Sequence, residues 1–219
     1  MKPDPVKLQE LLDESVRLHG HLCPGQVLGV RMAMLGLNEI GIADPKGTDR
    51  KNLIVFVEMD RCATDAIQSV TGCSLGHRTM KFLDYGKMAA TFLNLKTQKA
   101  ARIVAREESR EKAAALFPRA QDKYRAQIEA YRIMEDPELF EVMEVTVKIP
   151  PQDMPGRPLR RVPCSSCGEF VQDMREVREG GQVLCIPCAR GGYYDRVPIP
   201  CAAIPGDPSV RSGTTGAQK

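Results

Sequence analysis

The chain has 219 residues, of which 42% are hydrophobic and 27% charged, and 31 basic against 28 acidic residues leave a net charge of +3. That length allows one sizeable core plus a small appendage, and the near balance of charge argues against nucleic acid or an anionic membrane as the default partner. No apolar run reaches the length of a membrane span, and MKPDPVKLQELLDES has no apolar leader core, so the expected location is cytoplasmic. In a reducing compartment, eight cysteines point to metal or catalysis rather than to disulfides.

Asp4-Pro5 offers an N-cap and a first-turn proline, and Leu8, Leu11, Leu12, Val16 and Leu18 recur near helical spacing, so 5–18 is expected to be a helix closed by Gly20. Next comes His19-Gly-His21-Leu-Cys23-Pro-Gly25, which packs two imidazoles and a thiol just ahead of a second helix running from Pro24 to about Ile40. Pro24 suits the first helical position. Cys23 then sits at or near the N-cap, where the helix dipole favours thiolate. Neutral imidazole and thiolate are the usual ligands of zinc and other borderline-soft metals. A turn with two surface histidines and a buried cysteine is the competing reading. The second helix is apolar around much of its circumference (Val27, Leu28, Val30, Met34, Leu35, Leu37), as expected of a central or interface helix.

The segment 43–49 is turn-rich, and Leu53 to Met59 reads as a strand buried on both faces, delivering Glu58, Asp60 and Cys62 to its far end. A helix from Cys62 to Val70 stops at Gly72, and Cys73-Ser-Leu-Gly-His77 forms a loop that holds the third histidine. Segment 87–94 has strand character with 100–105 as a hairpin partner, a helix over 99–115 being its rival. Residues 107–116 and 119–135 read as helices with solvated charged faces, to which no chemistry is assigned. Segment 140–149 alternates as a final strand, and the proline-rich 151–163 reads as a linker.

Cys164-Ser-Ser-Cys167 and Cys185-Ile-Pro-Cys188, 17 residues apart, form the most specific motif of the chain. Four thiolates at that spacing can close a tetrahedral shell around structural zinc (Zn2+), and a unit this small needs metal to fold. A redox C-x-x-C is the alternative. Phe170-Val171 and Val183-Leu184, with Gly180-Gly181 between them, read as a hairpin. The tail 193–219, with Cys201, reads as flexible. The organisation expected is therefore a core over 1–150, a linker over 151–163, a four-cysteine finger over 164–192 and a tail.

HGHLCPGQVLGVRMA, EMDRCATDAIQSVTGCSLG and DYGKMAATF, in that order, closely resemble the FmdE family, named after a subunit of formylmethanofuran dehydrogenase, over roughly residues 10–150. The C-terminal unit resembles the zinc-finger appendage of many members. The resemblance implies an α+β fold, with a mixed or antiparallel sheet core packed with helices, a small zinc-ribbon or treble-clef-like C-terminal domain, intertwined homodimers and a Cys/His-lined cleft. The family name links it to a molybdenum- or tungsten-dependent enzyme of which this subunit is not the pterin-bearing part. Carried over by position, the resemblance points to His19, His21 and Cys23, to Cys62 and Asp65, and to Cys73. After Gly76 this chain has His77-Arg78-Thr79 where many relatives have a lysine–glycine–asparagine-like stretch, which adds His77 to the candidates.

The leading expectation is a core site of His21, Cys23 and Cys62 around zinc or another transition metal, with His19, Cys73 and His77 next in line. Three protein ligands would leave an open position for water or a small-molecule substrate. Cys23, Cys62 and Asp65 are the expected catalytic residues, with Asp60, Asp65 or Glu58 as a general base or as a partner of a histidine. A thiol-redox accessory, possessing no compact cluster-ligand run, is the second reading. The third is an interaction or regulatory module whose finger binds a protein partner. Arg157, Arg160, Arg161, Arg175 and Arg178 around the finger are largely cancelled by Glu169, Asp173, Glu176 and Glu179, which disfavours nucleic acid.

Overall fold

The computed structural model describes residues 2–195 and Val197, and the chain divides into two units, 1–157 and 158–219. Apart from 193–195 and Val197, the segment read as a tail, with Cys201, lies outside the described residues.

In the first unit, α1 (Pro5–His19) starts where the Asp4 carboxylate accepts the N–H groups of Val6 and Lys7, and ends at Gly20 in the left-handed region. Then follow α2 (Pro24–Glu39), β1 (Leu53–Val57), α3 (Cys62–Thr71) and β2 (Met80–Phe82). The hairpin β3 (Ala89–Asn94) and β4 (Ala100–Ala105) leads to α4 (Glu108–Leu116), α5 (Lys123–Ile133), the short α6 (Asp136–Leu139) and β5 (Phe140–Glu144). The sheet runs β2-β1-β3-β4-β5, with β1 and β2 parallel and every other pair antiparallel. It is the mixed sheet of an α+β fold. In register, Val55 faces Phe92, Phe92 faces Ala101, and Ile103 faces Val142.

The hairpin reading of 100–105 therefore prevails over the helical one: β4 is paired along its length on both edges. Sequence pattern missed β2, three residues with no alternation to betray them, and overran β5, whose pairing stops at Glu144.

Helix α2 is the hub. Val27, Val30, Met32 and Ala33 are fully buried, and its glycines set how closely its neighbours approach. A Cβ on Gly29 would lie 2.6 Å from the Ala63 carbonyl oxygen, and one on Gly36 would overlap the Phe92 ring. Helix α3 and strand β3 thus pack directly on the α2 backbone. Arg31, 1% exposed, donates to the carbonyls of Tyr131 and Met134 at 2.7 and 2.9 Å and to Asp136 at 2.7 Å. It thereby satisfies carbonyls where α5 ends and holds the α5–α6 corner against α2.

The second unit has two ribbons, β6 (Arg161–Pro163) with β7 (Phe170–Gln172) and β8 (Val177–Glu179) with β9 (Gln182–Leu184), and then α7 (Ile186–Arg190). The expected 170–184 hairpin does not form. Gly180 and Gly181, both at positive φ, make a two-residue turn that pairs Glu179 with Gln182, and Phe170 pairs back to Pro163 instead. The stretch read as a linker, 151–163, is likewise divided. Pro151–Asp153 is a 3-10 turn whose Gln152 and Asp153 carbonyls accept from Arg78 and Lys81 of the first unit, whereas Arg161–Pro163 is a strand of the second.

Candidate metal centres

Two helix starts converge in the first unit. Cys23 is the N-cap of α2, and Cys62 is the first residue of α3. The contact that brings them together is again a glycine: a Cβ on Gly25 would lie 2.9 Å from the Cys62 Cβ. Buried Gln26 fixes the junction, accepting from Ser15 of α1 and donating to the Cys62 carbonyl at 2.5 Å. His19, at the end of α1, completes a group in which one imidazole nitrogen and the two sulfurs lie within 4.8 Å of one another.

Asp65 orients this histidine. Its carboxylate lies 2.8 Å from His19 Nδ1, and a carboxylate can only accept, so that nitrogen carries the proton. The other nitrogen, Nε2, is buried without a hydrogen-bond partner. A carboxylate fixing one nitrogen while the other stays free is the arrangement found behind metal-bound histidines. Burial first, and then the neighbouring Cys23 thiol, push the Cys62 thiol above its ordinary range, against the thiolate expected from the helix start alone. A metal entering here would displace that proton. Beside the thiols opens a cavity of about 640 Å³, lined by Cys23, Cys62, Leu28 and Met88, with α5 residues on its wall.

In the second unit the four cysteines also gather within 4.8 Å. Cys167 Sγ and Cys185 Sγ are 3.8 Å apart, and four thiolates at about 2.3 Å from a tetrahedral zinc would have sulfurs roughly 3.8 Å apart. Cys164 Sγ accepts the Cys185 N–H at 3.2 Å. Backbone N–H groups, that of Cys167 first and that of Cys185 next, bring the Cys164 thiol down to about 6. Cys185 is pushed up to about 12: the Cys188 backbone N–H lowers it, but burial and the three surrounding thiols outweigh that. One thiolate among neutral thiols is how four crowded sulfurs share charge without a cation. The second cysteine pair opens α7, as the treble-clef-like alternative requires.

The sequence pattern described as FmdE, molybdenum formylmethanofuran dehydrogenase operon, matches residues 18–141, more than half of the chain. The chain belongs to the FmdE family. It shares 32% identity with a probable S-adenosyl-L-methionine-binding protein of Archaeoglobus fulgidus over 86% of its own length and 54% of the relative's, so it spans about half of that relative. An FmdE-like protein of the tungsten formylmethanofuran dehydrogenase type, from Syntrophus aciditrophicus, has the same fold. The TM-score is 0.59 and the identity 21%, over 89% of this chain and 99% of that one.

In this FmdE chain the residues singled out by sequence separate into two groups. His19, Cys23, Cys62 and Asp65 meet. The exposed His21 stays out of the ligand group, its ring 4.7 Å from that of His19 and tilted by 36°. Cys73 is buried in the hydrophobic core, its sulfur 3.9 Å from the Leu53 carbonyl oxygen and its thiol pushed up by burial. His77 lies exposed in its loop against Ser74 and Arg50. Glu58 is no free base: Arg102 binds both its oxygens at 2.7 Å. Asp60 is exposed beside Arg61. Sequence reasoning missed Gln26 and the α5 wall. The wall had a signal, since Tyr124, Ile128 and Tyr131 recur at helical spacing beneath a charged surface pattern.

Among the described residues no helix is long and apolar enough to cross a membrane.

Proposed function

We propose that this protein binds a transition-metal ion, zinc first among the candidates, through His19, Cys23 and Cys62, and uses it to bind or activate a small molecule in the adjoining cavity. The observation that carries this reading is the His19 imidazole, oriented by Asp65 through one nitrogen and unpartnered at the other, beside two thiols at converging helix starts. Three protein ligands leave a coordination position open, and a bound ion there supplies Lewis acidity. The chain's own residues do the rest. Asp65 holds the imidazole tautomer, Gln26 holds the Cys62 turn, and the cavity walls restrict water. With its carboxylate on His19, Asp65 is a positioning residue, which replaces the general-base role expected of it.

The four-cysteine unit is read as a structural zinc site and as the surface for a protein partner, with the whole chain a homodimer. The family description supports an accessory role beside a formylmethanofuran dehydrogenase-type oxidoreductase. The test is elemental analysis of the full-length protein and of Cys23→Ser and Cys164→Ser variants. Two ions per chain in the wild type and one in each variant support the reading; full metal content in Cys23→Ser sinks the core site. A second reading takes the ligand named for the Archaeoglobus relative, S-adenosylmethionine, as the occupant of the 640 Å³ cavity, a volume within the usual range of small-molecule sites. Calorimetry with that compound, read with and without the core ion, separates the two.

A further inference from the structure

The polar side chains of the cavity beside the thiols are unevenly matched. Its walls are apolar at Leu28, Met88 and Ile128. Its one carboxylate, Asp122, is already in use, accepting the N–H groups of Tyr124 and Arg125 at 2.7 and 3.0 Å where α5 begins. The donors are not used up. Arg110 is paired with Glu107 at 2.9 Å, but the Arg125 guanidinium has no hydrogen bond or ion pair among the described residues. Deeper in, Tyr131 is 1% exposed and its hydroxyl is buried without a partner. Ser109 beside it donates instead to the Arg106 carbonyl at 2.6 Å. Folding disfavours an unpaired buried hydroxyl, so a retained one calls for an explanation. A free guanidinium, an orphaned hydroxyl and a spent carboxylate leave the cavity short of acceptors.

We propose that the cavity takes a small carboxylic acid. Its carboxylate pairs with Arg125, its carbon stem lies on Leu28, Met88 and Ile128, and a further oxygen accepts from the Tyr131 hydroxyl. The end presented to Cys23 and Cys62 is then the end acted upon, and to that extent the assignment rests on the metal reading above. Charge-assisted pairing with a planar guanidinium favours carboxylate over its neutral isostere. Arg125 and Tyr131 are specificity-determining residues.

The experiment is calorimetric titration of the full-length protein with glutarate and with the neutral diamide glutaramide, and metal content is measured on the same samples. Glutarate is expected to bind at least about tenfold more tightly than the diamide. Arg125→Gln should bring the two to parity with metal content unchanged, and Arg125→Lys should restore part of the preference. Tyr131→Phe should weaken glutarate severalfold without lowering the thermal midpoint, which a purely structural tyrosine would lower. Equal binding of acid and amide, no binding of glutarate, or a preference that survives Arg125→Gln overturns the proposal. A wild type without core metal that still prefers glutarate removes the metal reading and leaves this one standing.

Discussion

The two sulfur-rich groups of this chain differ in what surrounds them. The four cysteines sit in a unit of short ribbons with almost no buried apolar side chains: its buried hydrophobic positions are Cys164 and Cys185 themselves. His19, Cys23 and Cys62 sit at the edge of a large core, built by α1, α2, α3 and the sheet. A metal in the first place substitutes for a core; a metal in the second rests on a core already made. Ligand number follows the same division, since four thiolates close a shell and three ligands leave it open.

The largest expected effect breaks the first half of that comparison. Cys164→Ser should release the ion of the second unit and unfold it, because structural zinc contributes about 10–16 kcal/mol in small fingers and little else here replaces it. Limited proteolysis should then cut within 158–195 while the first unit resists. A protected second unit in metal-free protein would show that its ribbons hold without metal.

Next in size is a change in the first unit that touches neither sulfur group. Arg31→Met removes the partner of Asp136 and of the Tyr131 and Met134 carbonyls. Breaking so buried a charged contact costs about 3–5 kcal/mol, seen as a lower denaturation midpoint. The comparison predicts that this exceeds the loss from stripping the core metal, and the two unfolding curves decide it.

The fold was more legible than the choice of ligands. Caps and periodicity announced α1, α2 and α3 (Asp4-Pro5, Pro24, Gly20, Gly72), and these three helices carry every residue of the core group. Which histidine joins it was not legible. His19 and His21 are equivalent in the sequence, and the selection is made by Asp65, 46 residues further on. Cys73 looked like a ligand by its neighbourhood, but the turn after Gly72 sends it into the core. The 170–184 hairpin failed because strand signals of two or three residues do not reveal their partners. The α5 wall stayed hidden because its charged positions masked the stripe at Tyr124, Ile128 and Tyr131.

The third prediction sharpens the histidine assignment. Asp65→Asn keeps the size of the side chain and a contact to Nδ1, but weakens the charge that fixes the tautomer. Loss of such a partner costs about 10- to 100-fold in metal affinity, which competition with a chelator measures. Asp65 is half exposed, so unfolding stability should shift by no more than about 0.5 kcal/mol. Unchanged affinity would mean that His19 is not a ligand, and His21→Ala would then be the variant to compare.

The smallest expected effect on folding is the most informative about the division between the two units. Cys62→Ser swaps a half-buried sulfur for oxygen at the first position of α3, where Gly25, Gln26 and the helix start are already held by backbone packing and the bond from Gln26 to the Cys62 carbonyl. None of these contacts uses the sulfur. The variant should therefore lose the core ion and keep its denaturation midpoint to within about 1 kcal/mol. Removing the proton-bearing thiol also relieves the crowding that raises its pKa beside Cys23, which offsets part of whatever packing is lost. A collapse of the first unit in Cys62→Ser would make its metal as structural as that of the finger, and the open coordination position would lose its rationale.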